Sequence, residues 1–318
     1  MPGPVLTRRD FLERAALTSA LLACSQDVSA AGTMFVSLNG SVARGVSGPD
    51  KARLAAKVGY GGVDWDLGPA KTAGVEATKA LFTELKIKPT ITNLPMARPL
   101  PFGGEQAAFQ QALMQLGDDA AFCAAIGCQK MMVVLPATSP IPKDEQRKVV
   151  RDRLAALSEV LQRSNVRLGV EFLGVQQFRM GRADGPPPIP FIWTLPDTVA
   201  LAKDSGSNIG AILDVWHWHH SGSTIADILA AGKERIVHIH VSDAKAQPPA
   251  EVRDNQRVMP GEGVIDLLGF FQALKKIGYE DGVSPEPLGR VPAELSPEDG
   301  AKLALDTTLA VMKKAGVV

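Results

Sequence analysis

All five histidines of this chain lie between His217 and His240. Carboxylates stand near them at the ends of short apolar runs: Glu171 after Leu168-Gly169-Val170, Asp214 after Ile212-Leu213, and Glu286 after Val283-Ser284-Pro285. His238 and His240 close another run, Ile236–Val241. Imidazole and carboxylate gathered at the ends of neighbouring strands is how a metal site is built on a parallel sheet. Three carboxylates with one imidazole make an oxygen-rich donor set. Such a set suits Mn²⁺ or Mg²⁺ better than a structural zinc, which prefers sulfur and nitrogen. A purely structural role explains Glu171 poorly, because an unpaired carboxylate is costly to bury in an apolar strand.

The elements that must position these residues alternate regularly. Strands are predicted at Met34–Leu38, Gly62–Asp66, Pro89–Asn93, Met131–Leu135, Leu168–Phe172, Ile209–Leu213, Val237–Val241 and Val283–Pro285. Helices are predicted at Pro49–Val58, Val75–Leu85, Glu105–Ile126, Lys143–Arg163, Leu195–Asp204, Ile225–Ala231, Ile265–Ile277 and Pro297–Lys314. Several open on a capping signal, such as Ser47-Gly48-Pro49-Asp50 and Ser296-Pro297-Glu298-Asp299. Eight strands alternating with eight helices is the pattern of an α/β protein of the (β/α)8 TIM barrel type. The main rival is a doubly wound sheet, which often carries a Gly-rich phosphate loop after its first strand. Residues 39–45 here read Asn-Gly-Ser-Val-Ala-Arg-Gly, which is not that fingerprint.

Strand parity sharpens the site. Side chains alternate between faces, so Glu171, Asp214, His240 and Glu286 pointing inward put Gly169, Ile212, His238 and Ser284 one layer below. Val170, Leu213, Ile239 and Val283 then face the helices, and all four are apolar. His238 reads as a second-layer residue, and His219 and His220 as loop residues. Asp64 and Trp65, ending the second strand, are weaker candidates for the same pocket. Two irregular stretches, Gly174–Ile192 and Ala244–Gly263, follow the fifth and seventh strands, on the face where barrel enzymes keep their functional loops. Phe191 and Trp193 are expected to pack the first of these down.

Leu168–Gly174, Leu213–His217, Ile236–Ala244, Arg257–Asp266 and Val283–Pro287 together resemble the xylose isomerase-like TIM-barrel family of sugar isomerases and epimerases, most strongly between Val166 and Leu288. The resemblance implies that Glu171, Asp214, His240 and Glu286 hold one divalent metal, Mn²⁺ before Mg²⁺, Co²⁺ or Zn²⁺. It implies that Glu171 and Glu286 are also the catalytic acid/base pair, that His217 binds a substrate oxygen, and that Arg257 binds a substrate hydroxyl or carbonyl. A metal on a ketone oxygen stabilises the enediolate formed when a carboxylate removes the neighbouring proton. Returning the proton to the other face epimerises the sugar; returning it to the next carbon isomerises it. The same abstraction can expel a leaving group, so a 3-keto-glycoside lyase is the alternative outcome. A barrel endonuclease and a non-catalytic periplasmic sugar-binding barrel are further alternatives.

Bulk composition narrows the partners. The chain has 318 residues, 45% of them hydrophobic, and 34 basic against 34 acidic residues. A nucleic-acid binder usually carries a basic surplus, so the expected partner is a small sugar or sugar derivative. Three cysteines are too few for a disulfide framework. Cys123 and Cys128 read as small buried residues, and a bond between them requires a helix end between them. Residues 1–30 read as an export signal. Thr7-Arg8-Arg9-Asp10-Phe11-Leu12 resembles a twin-arginine motif, and the apolar run Ala15–Ala23 is too short to span a membrane. Leu21–Cys24 resembles a lipobox that would anchor a lipid at Cys24, and Val28-Ser29-Ala30 resembles an ordinary cleavage site. Residues 31–318 are expected to form a single catalytic barrel facing the periplasm.

Overall fold

The computed structural model describes residues 33–180, 187–289, 291 and 294–318. The twin-arginine motif, Cys24 and both cleavage signals lie outside these residues. Eight parallel strands close into a barrel. They are β1 (Phe35–Leu38), β2 (Gly62–Trp65), β3 (Lys88–Asn93), β4 (Lys130–Val134), β5 (Arg167–Glu171), β6 (Ile209–Asp214), β7 (Ile236–Val241) and β8 (Gly282–Pro285). Neighbours in sequence are neighbours in the ring, and the seam is made by Phe35↔Gly282 and Val36↔Val283.

The helices are α1 (Gly48–Val58), α2 (Leu67–Ala73), α3 (Val75–Leu85), α4 (Gln106–Ala125), α5 (Lys143–Gln162), α6 (Leu195–Ser205), α7 (Val215–His220), α8 (Ile225–Ala231), α9 (Leu267–Lys276) and α10 (Pro297–Lys314). Each predicted strand and helix is present within a residue or two of its expected bounds. At α10 the Ser296 hydroxyl accepts from Asp299 N at 3.1 Å, as a cap should. At α1 the Ser47 side chain makes no such bond, and Pro49 alone begins the turn. Two helices go beyond the sequence reading. Gly68 and Pro69 conceal α2, and α7 is only six residues long.

The outward residues Val170, Leu213, Ile239 and Val283 are buried in the main core under the helices. Inside the barrel, Ile91, Ile212 and Val237 make a small apolar plug, with Met132 against it. Simple parity sends Val237 outward. Ala211 pairs with Ile236 but Ile212 pairs with His238, which leaves Val237 as an extra residue in the ladder. This bulge turns Val237 and His238 inward together. Gly169 makes room for the plug, since a Cβ there would meet Ile212 Cδ1 at 2.1 Å.

α4 ends between the two cysteines, with Gly127 at φ +84°, so the expected condition for a bond is met. Both thiols are free and buried. Among the described residues no helix is long and apolar enough to cross a membrane.

Candidate active site and metal centre

Glu171, Asp214 and His240 end or nearly end β5, β6 and β7, and Glu286 follows β8 directly. Register pairs Glu171 with Ile212, two residues before Asp214. Asp214 pairs with His240, and His240 with Ser284. Glu286 N donates to Val241 O at 2.8 Å, which fixes where its side chain departs. Ligand atoms of the four residues lie within 4.8 Å of one another. His240 Nδ1 is 2.9 Å from Glu171 Oε1 and 3.4 Å from Glu286 Oε2. His240 Nε2 is buried with no hydrogen-bond partner.

Arg257 completes the cluster from the loop after β7. It is 1% exposed. Its Nη1 donates to Asp214 Oδ2 at 2.6 Å and to Glu286 Oε2 at 3.0 Å, and its Nη2 donates to Asp254 Oδ1 at 2.8 Å. Nη2 is also 3.3 Å from His217 Nε2. The structure thus brings all six expected site residues together. His217 and Arg257 are both buried, beside and behind Asp214.

Local structure explains their placement. Asp214 Oδ1 accepts from Trp216 N at 2.8 Å, so this carboxylate also starts α7. That turn carries His217 back toward Asp214. Gly174 lets the β5 loop pass close beneath it, because a Cβ there would lie 1.9 Å from His217 O. Asp243 fixes the Arg257 loop. Its carboxylate accepts from the backbone N–H groups of Ala244, Gly261, Gly263 and Ile265 at 2.8 to 3.1 Å. Asp243 and Val258 also exchange backbone hydrogen bonds, both 2.9 Å.

The two long loops meet over this corner. Asp254 N donates to Gln177 Oε1 at 3.3 Å, and the Phe178 ring stands 6.0 Å from the His217 ring. As expected, Phe191 is buried and packs its loop down. Trp193 lies under the cations of Lys143 and Arg179.

Charge in the cluster is strongly coupled. Burial opposes a charged His240, but Glu286 and Glu171 outweigh it and raise the imidazole well above its usual range. Burial would raise the Glu286 carboxyl; His240 and Arg257 instead bring it down to about 2. Burial works against the Arg257 charge too, and Asp214, Glu286 and Asp254 hold it in place. His238 is pushed well below its usual range, chiefly by burial.

Below the four residues lies a second polar layer. Asp64 Oδ1 accepts from Ser37 at 2.9 Å, Ser284 at 2.8 Å and Thr90 at 3.2 Å. Since Ser284 gives its proton to Asp64, His238 Nε2–H donates to Ser284 Oγ at 2.8 Å. His238 is therefore a second-layer residue, as parity implies.

A cavity of about 290 Å³ opens from Glu171, His240 and Glu286 toward the mouths of β1, β2 and β3. Sequence reasoning missed most of this wall, namely Asn39, Lys51, Asp66 and Asn93, and it missed Asp254 as an arginine partner. The one available signal was the cluster of polar residues directly after β1 and β2.

The family model described as xylose isomerase-like TIM barrel matches residues 52–311. Inosose isomerase of Bacillus subtilis (strain 168) is 30% identical over 193 residues, covering 60% of this chain and 66% of that protein. The 3-dehydro-D-guloside 4-epimerase of Escherichia coli (strain K12) is 28% identical over 160 residues, covering 50% and 52%. The chain therefore spans just under two thirds of the first relative and about half of the second. Among solved structures, the IOLI protein with a bound zinc atom superposes with a TM-score of 0.73 at 24% identity, covering 89% of this chain and 99% of that one. At that identity the likeness is one of fold.

Proposed function

Because the chain belongs to the xylose isomerase-like TIM barrel family, we propose that it is a divalent-metal-dependent sugar isomerase or epimerase that moves a proton next to a carbonyl. The observation that carries this reading is the convergence of Glu171, Asp214, His240 and Glu286 within 4.8 Å. The donor set fits a divalent cation. Its carboxylates draw in the Arg257 guanidinium and raise the His240 pKa, so the site has a standing demand for positive charge. Three oxygen donors favour Mn²⁺, and the zinc of the IOLI protein structure makes Zn²⁺ the rival to test.

A divalent ion held by the four residues supplies Lewis-acid stabilisation of negative charge developing on the substrate carbonyl oxygen. The chain supplies the proton handling. Glu286, which His240 and Arg257 hold in its carboxylate form, would accept the proton. Glu171, which also reaches His240 Nδ1, would start as the acid and give its own proton to the substrate, so one proton passes from sugar to Glu286 as another passes from Glu171 to sugar. This is the arrangement that inverts a centre or shifts a carbonyl. The same reading has Arg257 and His217 meet a substrate oxygen; both are buried, and Arg257 is turned to Asp214, Glu286 and Asp254. The inosose isomerase and 3-dehydro-D-guloside 4-epimerase relatives support a keto-sugar or keto-cyclitol as the substrate class. The paired arginines and apolar run of residues 7–23 support action outside the cytoplasm.

The test is proton exchange in D₂O. Mn²⁺-loaded protein should place deuterium on the carbon next to the carbonyl of a keto-sugar. E171Q and E286Q should each lower that rate by about 10²- to 10⁴-fold, the usual contribution of a positioned acid or base. No exchange with any ketose, inosose or 3-keto-glycoside rejects the reading. Release of an aglycone with no epimerised sugar replaces it with a lyase.

A further inference from the structure

The cavity wall facing the metal ligands has a chemistry of its own. Lys51 reaches back from α1 to the barrel mouth and is 4% exposed. Its ammonium is 2.8 Å from Asp66 Oδ2. An ammonium carries three N–H donors, and this carboxylate is its ion-pair partner. Lys51 and Gly40 both line the cavity, and a Cβ at Gly40 would lie 3.9 Å from the ammonium, an ordinary contact. Asn39 stands alongside with its amide held at both ends. Its Oδ1 accepts from Ser41 N at 2.8 Å, and its Nδ2 donates to Asp64 Oδ2 at 3.0 Å, leaving one N–H free. Ammonium, carboxylate and amide therefore alternate as donor, acceptor and donor. That pattern matches neighbouring hydroxyls, each of which gives one hydrogen bond and accepts others.

Size and charge narrow the ligand. Ligand pockets run from about 300 to 1,000 Å³, and this one, at about 290 Å³, suits a single ring. Four carboxylates line it, Asp64, Asp66, Glu171 and Glu286, against one lysine and one imidazole. Lys51 is already paired with Asp66. This excess of carboxylates disfavours a phosphate or a carboxylate on the ring edge away from the ion.

We propose that Lys51, Asp66 and Asn39 form a hydroxyl-reading subsite for the ring edge remote from the reacting carbon. The site then takes an uncharged one-ring polyol in preference to its phosphorylated or carboxylated counterpart. This rests on the sugar-enzyme reading above but is tested by binding alone. Calorimetry on the full chain with Mn²⁺ would use myo-inositol, myo-inositol 1-phosphate and D-glucuronate as probes. The wild type should bind myo-inositol at least tenfold more tightly than either anion. K51M and D66N should each weaken myo-inositol by about tenfold or more, the worth of a hydrogen bond to a charged group. Mn²⁺ affinity should stay at its wild-type value. Asp66 is 39% exposed, so D66N serves if K51M fails to fold. Tighter binding of an anion, no binding of myo-inositol by the wild type, or an unchanged affinity in both variants overturns the subsite. If deuterium exchange fails while these affinities behave as stated, the catalytic reading falls and the subsite stands. If exchange succeeds and the affinities do not move, the subsite alone falls.

Discussion

Arg257 shows how much of this site depends on a single residue. It is a buried cation shared by Asp214, Glu286 and Asp254. Removing one partner of a buried ion pair typically costs about 3–5 kcal/mol, because the remaining charge is stranded. R257M should lose that much stability in denaturant titrations of chelator-treated protein. It should lose less with Mn²⁺ present, since the ion offsets the same carboxylates. His220 predicts a pH effect. Burial, with the neighbouring His219 and His217, lowers its pKa to about 4. Its neutral form is therefore favoured in the fold. The associated stability is full above pH 6.5 and is lost as pH falls from there toward 4. H220Q should flatten the stability curve in that window. At this scale the sequence revealed what was costly to hide. Glu171 was legible because a carboxylate in Leu168–Phe172 has no cheap structural explanation. Lys51, Asp66 and Asp254 were not, because polar residues in helices and loops are ordinary until folding aims them.

The elements matter most where a loop behaves as firmly as a strand. Residues 257–265 carry Arg257, and Asp243, just past β7, clamps them through three backbone N–H groups. D243A leaves those donors without an acceptor, at about 1–3 kcal/mol for each one that stays buried. Hydrogen exchange should quicken at Gly261, Gly263 and Ile265 while the β5 and β6 amides stay protected. Equal loss of protection in the strands would show that Asp243 supports the whole barrel instead. Strands and long helices were readable from the sequence because alternation and 3.6-residue periodicity both persist over enough residues. The bulge at Val237 and the one-turn helix α7 were not. Each depends on a partner distant in sequence or on a cap made by Asp214 itself, and six residues are too few to show a period.

For the molecule as a whole, an ion bound only by the folded barrel adds to its stability. At a concentration of about 100 times Kd the gain is roughly 2.7 kcal/mol. Calorimetric scans should therefore show a lower melting temperature after chelation and recovery with Mn²⁺. Identical scans would remove the four-residue centre from consideration. The barrel itself was the most legible feature, since eight strand-helix alternations leave few other architectures. The seam between β1 and β8 also bears on synthesis. The first strand made waits for the last one before half of its hydrogen bonds exist. Glu286, the last of the four clustered residues, emerges from the ribosome directly behind that last strand. Ring closure and assembly of the four-residue cluster thus both wait for the last strand and the residue behind it. A nascent chain that stops short of residue 282 has neither.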